Sequence, residues 1–339
     1  MLKKEKDHVH VAVKEIFGKR RDKLFDDEIK TLTDIRESNN PHLIRHIAAC
    51  VADSDPPLRC IIFPFASGGD LREYWVESDT EPRTPGPIQW SLKQMHGLAT
   101  AIHGLHGGYP KLEGSNVRHG DLKPENILIF EDEGKEKRLV IADVGIAKCH
   151  MGPTAVRTQK TGTDTTSRAY EAPEANERTH QSNFPRSRAY DIWSLGCIFL
   201  EFTIWLLFDI HAVDNFANRR PHEWPGHLGP GVFYDISPKG SPMVCQEALR
   251  ALADLLEDDR CGEDTALGQL VRLISEKMLI AEVKGRCLAS DLVNWLERIS
   301  DGPPGRGNEY YLKSSEKAVS LPEIFRPLRK GSGSSSITR

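Results

Sequence analysis

Hydrophobic and polar residues alternate through "HVHVAVKEI" (8–16), so Val9, Val11 and Val13 fall on one face and Ala12 and Lys14 on the other. That period of two predicts a strand covering a core on one side. Within "FDDEIKTLTDIRE" (25–37) the spacing lengthens to that of a helix. Phe25, Ile29, Leu32 and Ile35 form a stripe, and Glu28, three residues beyond Phe25, lies on its inward edge. "LRCIIFPFASGGDL" (58–71) reads as a strand that stops at Pro64, whose ring cannot continue the ladder, and runs into a Gly-Gly turn.

"EPRTPGP" (81–87) has the composition of a loop, and beyond it helical spacing dominates, over 90–106, 191–208, 244–257, 267–280 and 289–299. Strands first and helices afterwards predict an α+β chain with a small sheet lobe and a larger helical lobe. The most apolar stretch, "LGCIFLEFTIWLLF" (195–208), is too short to span a bilayer and carries Glu201, so it reads as a buried core helix. From Asp301 onward "DGPPGRG" and "KGSGSSSITR" read as a flexible tail over 301–339, in which Tyr310, Tyr311, Leu321 and Phe325 are the positions able to dock. No internal repeat is evident.

A length of 339 residues suits one large two-lobed domain or two ordinary ones. With 39% apolar and 28% charged residues the chain can bury a core, which argues against disorder. A net charge of −4 gives no support for a nucleic acid or a membrane surface as the main partner. Seven cysteines lie scattered without C-x-x-C spacing, which reads as reduced thiols rather than a disulfide framework or a zinc site. "MLKKEKDHVH" is charged and no apolar stretch of signal length follows it, so a cytosolic or nuclear setting is expected.

Candidate chemistry begins at "HGDLKPEN" (119–126), followed by the apolar strand "ILIF". Alone it is compatible with an ordinary turn ended by Pro124. Other segments accompany it in a fixed order: "VAVK" with Lys14, "ADVG" with Asp143, "YEAPE" with Glu174, "DIWSLG" with Asp191 and "GRCLASDL" with Arg286. In that order they resemble a eukaryotic-type Ser/Thr protein kinase domain, the resemblance covering residues about 9–300. The domain is taken as 1–300, with 9–66 in the sheet lobe and 67–300 in the helical lobe. His-Gly-Asp also opens the catalytic loop of small-molecule kinases. Those generally place His two residues after the Asp, where this chain has Lys123, and lack the Ala-Pro-Glu and Asp-x-Trp-Ser-x-Gly signatures found at 172–174 and 191–196.

The resemblance implies ATP and Mg²⁺ as cofactors and a protein substrate bearing a Ser or Thr hydroxyl, with no nucleic-acid or membrane partner. Phosphoryl transfer leaves little covalent work to the protein, so each residue type serves positioning or charge neutralisation. Lys14 is implied to meet the α and β phosphates, Glu28 to pair with it, and Ala12 to line the nucleotide site. Asp121 is the implied base and Lys123 the cation on the transferred group. Asn126 and Asp143 are hard oxygen ligands suited to Mg²⁺. Phe63 falls at the back of the adenine pocket, Phe65 and Ala66 in the hinge, and Asp70 within reach of the ribose. Strand packing explains Phe63 and Phe65 equally well. Glu174 is implied to pair with Arg286, Asp191 to accept backbone N–H bonds from the catalytic loop or to cap its helix, and Ser167 to contact Asp121 and Lys123.

The chain departs from the family pattern in four places. Gly120 stands where Arg normally binds a phosphate on the activation loop. Turnover is therefore expected not to require such a phosphate, so alanine at Thr154, Thr158, Thr161 and Thr163 should leave it nearly unchanged. The glycine is also expected to loosen the backbone. Val144 replaces the usual Phe and offers a smaller side chain to the space between the lobes. "EDEGKEKR" (131–138) lengthens a turn by about four residues relative to the family, and its charges suggest exposure. No glycine occurs in "MLKKEKDHVHVAV" before Lys14, where a Gly-rich loop is normal, and "GPPGRG" (302–307) reads as linker. A shortened chain, a pseudokinase and a partner that supplies the cover are the three explanations, and the second makes a non-enzymatic interaction module the alternative to the kinase.

Overall fold

Val11–Ile16 forms β1, Ala48–Ala52 forms β2 and Leu58–Pro64 forms β3, joined antiparallel in the order β1-β3-β2. This computed structural model describes residues 9–18, 20–54, 57–79, 83–108, 118–131, 134, 136–144, 165–176, 178–179, 187–221, 231–314 and 320–328. Helix α1, Arg21–Glu37, lies on the sheet face that carries Lys14, Ile16 and Ile61, and buries Phe25, Glu28, Leu32 and Ile35. The expected stripe is therefore present, with Ile29 half-buried at its margin.

Of the two faces of β1, the valine face is the open one. Val9, Val11 and Val13 are 81%, 42% and 54% exposed. Alternation identifies two faces but not which one meets a neighbour. Here α1 occupies the lysine face, and β1 is an edge strand whose valine face stays open among the described residues.

The strand β3 ends at Pro64 as expected, and the chain crosses to the helical lobe through Phe65, Ala66 and the Gly68–Gly69 turn. Gly68 N–H donates to the Ile129 carbonyl at 3.1 Å and Ile129 N–H to the Gly69 carbonyl at 2.9 Å. Helix α2, Leu71–Glu77, then starts from a capping box in which Asp70 accepts from Glu73 N–H while the Glu73 side chain accepts from Asp70 N–H. The composition-based loop at 81–87 is corrected in part. Helix α3, Pro85–His103, starts at Pro85, because proline suits the first helical turn, where its missing N–H has no partner to lose.

β4, Ile127–Phe130, and β5, Arg138–Ile141, form a hairpin that bears the candidate residues at its open end. Helix α4, Ala189–Leu207, is the axis of the core, with Trp193, Phe199 and Phe202 fully enclosed. It is longer than the sequence segment suggested, and by length and apolarity it is able to cross a membrane. Its apolar window is instead wholly inside the protein, so burial rather than length makes it a core helix. Its buried Glu201 accepts from Arg220 Nη1 at 2.8 Å and from Tyr170 Oη at 2.6 Å.

Helix α5, Ile210–Arg219, a short β6–β7 ladder (Tyr234–Ile236, Pro242–Val244), α6 (Gln246–Glu257), α7 (Ala266–Leu273) and α8 (Ala289–Asp301) complete the helical lobe, α8 packing along α3. The flexible-tail expectation for 301–339 is corrected for part of that range. Asp301 closes α8, Tyr310 and Tyr311 are buried, and Phe325 is enclosed against Phe208 and Phe216. Tyr310, Tyr311 and Phe325, with the half-buried Leu321 packed against the core, offset the ordering entropy that composition alone suggested would prevail. The six described cysteines carry free thiols.

Candidate active site

The segment after α1 fixes how the two lobes meet. Ile44 N–H donates to the Ile141 carbonyl and Ile141 N–H to the His42 carbonyl, both at 2.9 Å, so residues 42–44 run beside β5 as an added strand. The His42 ring reinforces this, its Nδ1–H donating to the Leu139 carbonyl at 2.7 Å. Helix α1 is thereby tied to the hairpin that carries Asp143, two residues beyond Ile141. Glu28 and Asp143 meet because of that tie, although 115 positions separate them in the chain numbering.

Lys14 is the point of convergence. Its Nζ donates to Glu28 Oε1 at 2.8 Å and to Asp143 Oδ1 at 2.7 Å. Burial opposes the charge on this ammonium, but the Asp143 and Glu28 carboxylates outweigh it and hold its pKa above the ordinary lysine value. The sequence resemblance implied the Glu28 pair. Direct contact with Asp143 was not implied and emerges only from the fold. Asp143 has φ +55°, a left-handed conformation uncommon among non-glycine residues.

Asp121, Asn126 and Asp143 share the open end of the β4–β5 hairpin. The register Ile127↔Ile141 places Asn126 just before one strand and Asp143 just after the other, and Ala142 N–H donates to the Asn126 carbonyl at 2.9 Å. Asn126 Nδ2 donates to the Asp121 backbone carbonyl at 2.7 Å and to its Oδ2 at 3.1 Å. That leaves Asn126 Oδ1 and the second oxygen of Asp143 as hard donors, a set that fits Mg²⁺, which keeps several waters and takes few protein ligands. Among the described residues, no group of three or more His, Cys, Asp or Glu is placed to hold a metal ion, so a fully protein-ligated site is not built there. Burial raises the Asp121 carboxyl above the ordinary range. Lys123 and His119 oppose that shift, and the Asp143 charge adds to it.

The catalytic-loop backbone is held from below. Asp191, fully buried in the first turn of α4, accepts from His119 N–H and Gly120 N–H at 2.9 Å each and from His106 Nε2–H at 2.8 Å. Burial alone would push Asp191 up. The bond from His106, the charges of His106 and His119 and the Gly120 N–H prevail, so its pKa lies below the ordinary value. His119 Nε2–H in turn donates to the Ala142 carbonyl at 2.8 Å, which joins the loop to the residue preceding Asp143. The expected looseness at Gly120 is corrected: two successive N–H groups are fastened to one carboxylate. The glycine has φ +79°, and a Cβ there would meet Arg118 Nε at 3.2 Å, so its role is to permit this backbone path.

The remaining sequence-derived residues divide by environment. Ala12 is exposed opposite Phe63 on β3, and Phe63 is half-buried against the core. Phe65 is 52% exposed, Ala66 half-buried, and the Phe65 ring lies 5.9 Å from that of His10. Asp70 spends Oδ1 on capping α2, and burial holds its carboxyl above the ordinary range. Lys123 is half-buried beside Asp121, and Val144 is buried. Glu174 and Arg286 form the implied pair with two bonds of 2.9 Å each. Thr154, Thr158, Thr161, Thr163 and the Ser167 side chain lie outside the described residues.

His106 and His42 were missed by sequence reading. Each is a lone histidine with no motif around it, and each matters only through a partner 85 or 97 positions away. Glu125 lies within "HGDLKPEN", where the resemblance implies no role for it; its Oε2 is buried without a hydrogen-bond partner, and burial raises its carboxyl.

Residues 1–221 match the family model described as the protein kinase domain. The chain is similar to Cyclin-dependent kinase D-1 of Arabidopsis thaliana, at 26% identity over 274 residues, which cover 74% of this chain and 60% of that protein. It is also similar to Serine/threonine-protein kinase STY46 of Arabidopsis thaliana, 27% identical over 252 residues, 73% of this chain and 36% of that protein. Calcium/calmodulin-dependent protein kinase cmkA of Emericella nidulans is 31% identical over 191 residues, 56% of this chain and 39% of that protein. The chain therefore spans less than two thirds of the length of these relatives.

Proposed function

This chain belongs to the protein kinase domain family, and on that premise we propose that it transfers the γ-phosphoryl group of ATP to Ser or Thr hydroxyls of proteins. The observation that carries the reading is the junction of Lys14 with both Glu28 and Asp143, at 2.8 and 2.7 Å, at the hairpin end that also holds Asp121 and Asn126. In this reading Lys14 orients the α and β phosphates and Glu28 fixes its reach. Asp121, held by Asn126, orients the substrate hydroxyl and receives its proton, and Lys123 offsets charge on the group in transit. Asn126 Oδ1 and Asp143 would hold Mg²⁺, which when bound supplies charge neutralisation at the phosphates. Fastening of residues 119–120 to Asp191 needs no phosphate, which supports turnover independent of activation-loop phosphorylation. The scattered spacing of the seven cysteines, without C-x-x-C, supports a reducing cytosolic or nuclear setting.

The test is transfer of label from radiolabelled ATP to a generic protein substrate, comparing the chain with Asp143→Ala and Asp121→Asn. Incorporation that both substitutions abolish is the expected result. No incorporation by the unaltered chain at any Mg²⁺ concentration would sink the proposal in favour of an interaction module. ATP turnover on a metabolite with none on protein would replace it with a small-molecule phosphotransferase.

A further inference from the structure

Cys50 on β2 and Cys60 on β3 are direct partners in the strand register. Residues so paired share a face with Cα atoms about 4.5–5.5 Å apart, inside the range of about 4.4–6.8 Å that disulfides bridge. Their sulfurs lie on the sheet face opposite Lys14, whose partner is the next residue, Ile61. The pair is asymmetric in access. Cys50 is exposed on an outer strand, while Cys60 is 7% exposed on the central strand, between Cys50 and Glu15. By contrast Cys197, Cys245 and Cys261 are fully enclosed in the helical lobe.

We propose that Cys50 and Cys60 are a redox modification site, at which a hydroperoxide converts the two thiols into a cross-strand disulfide. Cys50 meets the oxidant first because it is the exposed member. Its sulfur attacks one peroxide oxygen, the O–O bond breaks and, for hydrogen peroxide, water leaves, so that Cys50 becomes a sulfenic acid. The Cys60 sulfur then gives up its proton and attacks the Cys50 sulfur. The S–O bond breaks and a second water departs. In sum two thiols are oxidised by two electrons and one peroxide is reduced to two waters. Burial and the neighbouring Cys50 and Glu15 push the Cys60 thiol up, which makes it a poor target for dissolved oxidant. As the resolving partner it relies instead on being already in place. A dithiol would restore both thiols by exchange.

Tryptic mapping tests this on the full chain. Cleavage after Arg45, Arg59 and Arg72 separates Cys50 (46–59) from Cys60 (60–72), so a bridge appears as a linked peptide pair two hydrogens lighter than the sum. Micromolar hydrogen peroxide should produce that pair in monomeric protein, remove both thiols from alkylation, and be reversed by dithiothreitol. Cys50→Ser should abolish the link and leave Cys60 alkylatable, while Cys60→Ser should leave Cys50 as a sulfenic acid trapped by dimedone. Persistence of both thiols while Cys287 is oxidised, or linked peptides found only in covalent dimers, would overturn the proposal. Either failure leaves the phosphoryl-transfer reading untouched.

Discussion

Replacing Asp191 tests whether the catalytic loop is held from beneath by one carboxylate. Asp191→Ala leaves three donors facing a buried space: His119 N–H, Gly120 N–H and His106 Nε2–H. Each buried donor without a partner costs about 1–3 kcal/mol. If one is met by water entering the vacated volume, the loss is about 2–6 kcal/mol, a large part of the roughly 5–15 kcal/mol that stabilises a folded domain. Asp191→Asn behaves differently. Its remaining oxygen can occupy the Oδ2 position and keep His119 and His106, while its NH₂ opposes only Gly120 N–H, so the loss is about 1–3 kcal/mol. In urea, with a slope of about 3 kcal/mol/M for a chain of this size, the alanine variant should unfold about 0.7–2 M earlier and the asparagine variant less than about 1 M earlier. Turnover should fall in both, since a 1 Å misplacement of a catalytic group can cost about 10²-fold. Equal midpoints for the two variants, or an alanine midpoint within error of the unaltered chain, would refute the reasoning.

Three further outcomes follow from the packing. Gly97→Ala would drive a Cβ into the His42 ring, and should lower stability by about 1–3 kcal/mol, an effect that His42→Ala in the same chain should relieve; thermal unfolding reads both. Glu174→Gln should destabilise by about 3–5 kcal/mol because Arg286 is left buried without its countercharge, whereas exchanging both partners for apolar residues should cost less, as urea titration would show. His42 is held below the ordinary histidine value by burial, with Arg138 and His96 adding to the shift and the Leu139 carbonyl opposing it. Because its folded pKa lies below the unfolded value of about 6.5, its stabilising contribution is complete above that pH and is lost as pH falls from there through the folded pKa. His42→Gln should flatten that acid limb, and an unchanged slope would argue against the assignment.

Much of the fold was legible in one dimension because periodicity and proline report on local geometry. The stripe of Phe25, Leu32 and Ile35, the stop at Pro64 and the apolar helix around Trp193 all follow from residues close together in the chain. Sequence pattern fell short where a neighbour decides. Alternation left open which face of β1 is covered, Pro85–Pro87 open a helix instead of lying in a loop, and Phe325, one of the positions able to dock, is enclosed within a stretch whose composition suggested freedom.

At the candidate site, the identities of Lys14, Glu28, Asp121, Asn126 and Asp143 came from motif order, which requires no coordinates. Their mutual arrangement did not. That Lys14 touches Asp143 depends on residues 42–44 running beside β5. That Gly120 sits on a fastened rather than a loose loop depends on Asp191, 71 positions away. Side-chain chemistry and helical or strand period are properties of the chain itself. Which face is covered, which carboxylate shares which cation and which backbone donors find a buried acceptor are set by long-range packing, since electrostatic and hydrogen-bond energies depend on distances that only the folded molecule defines.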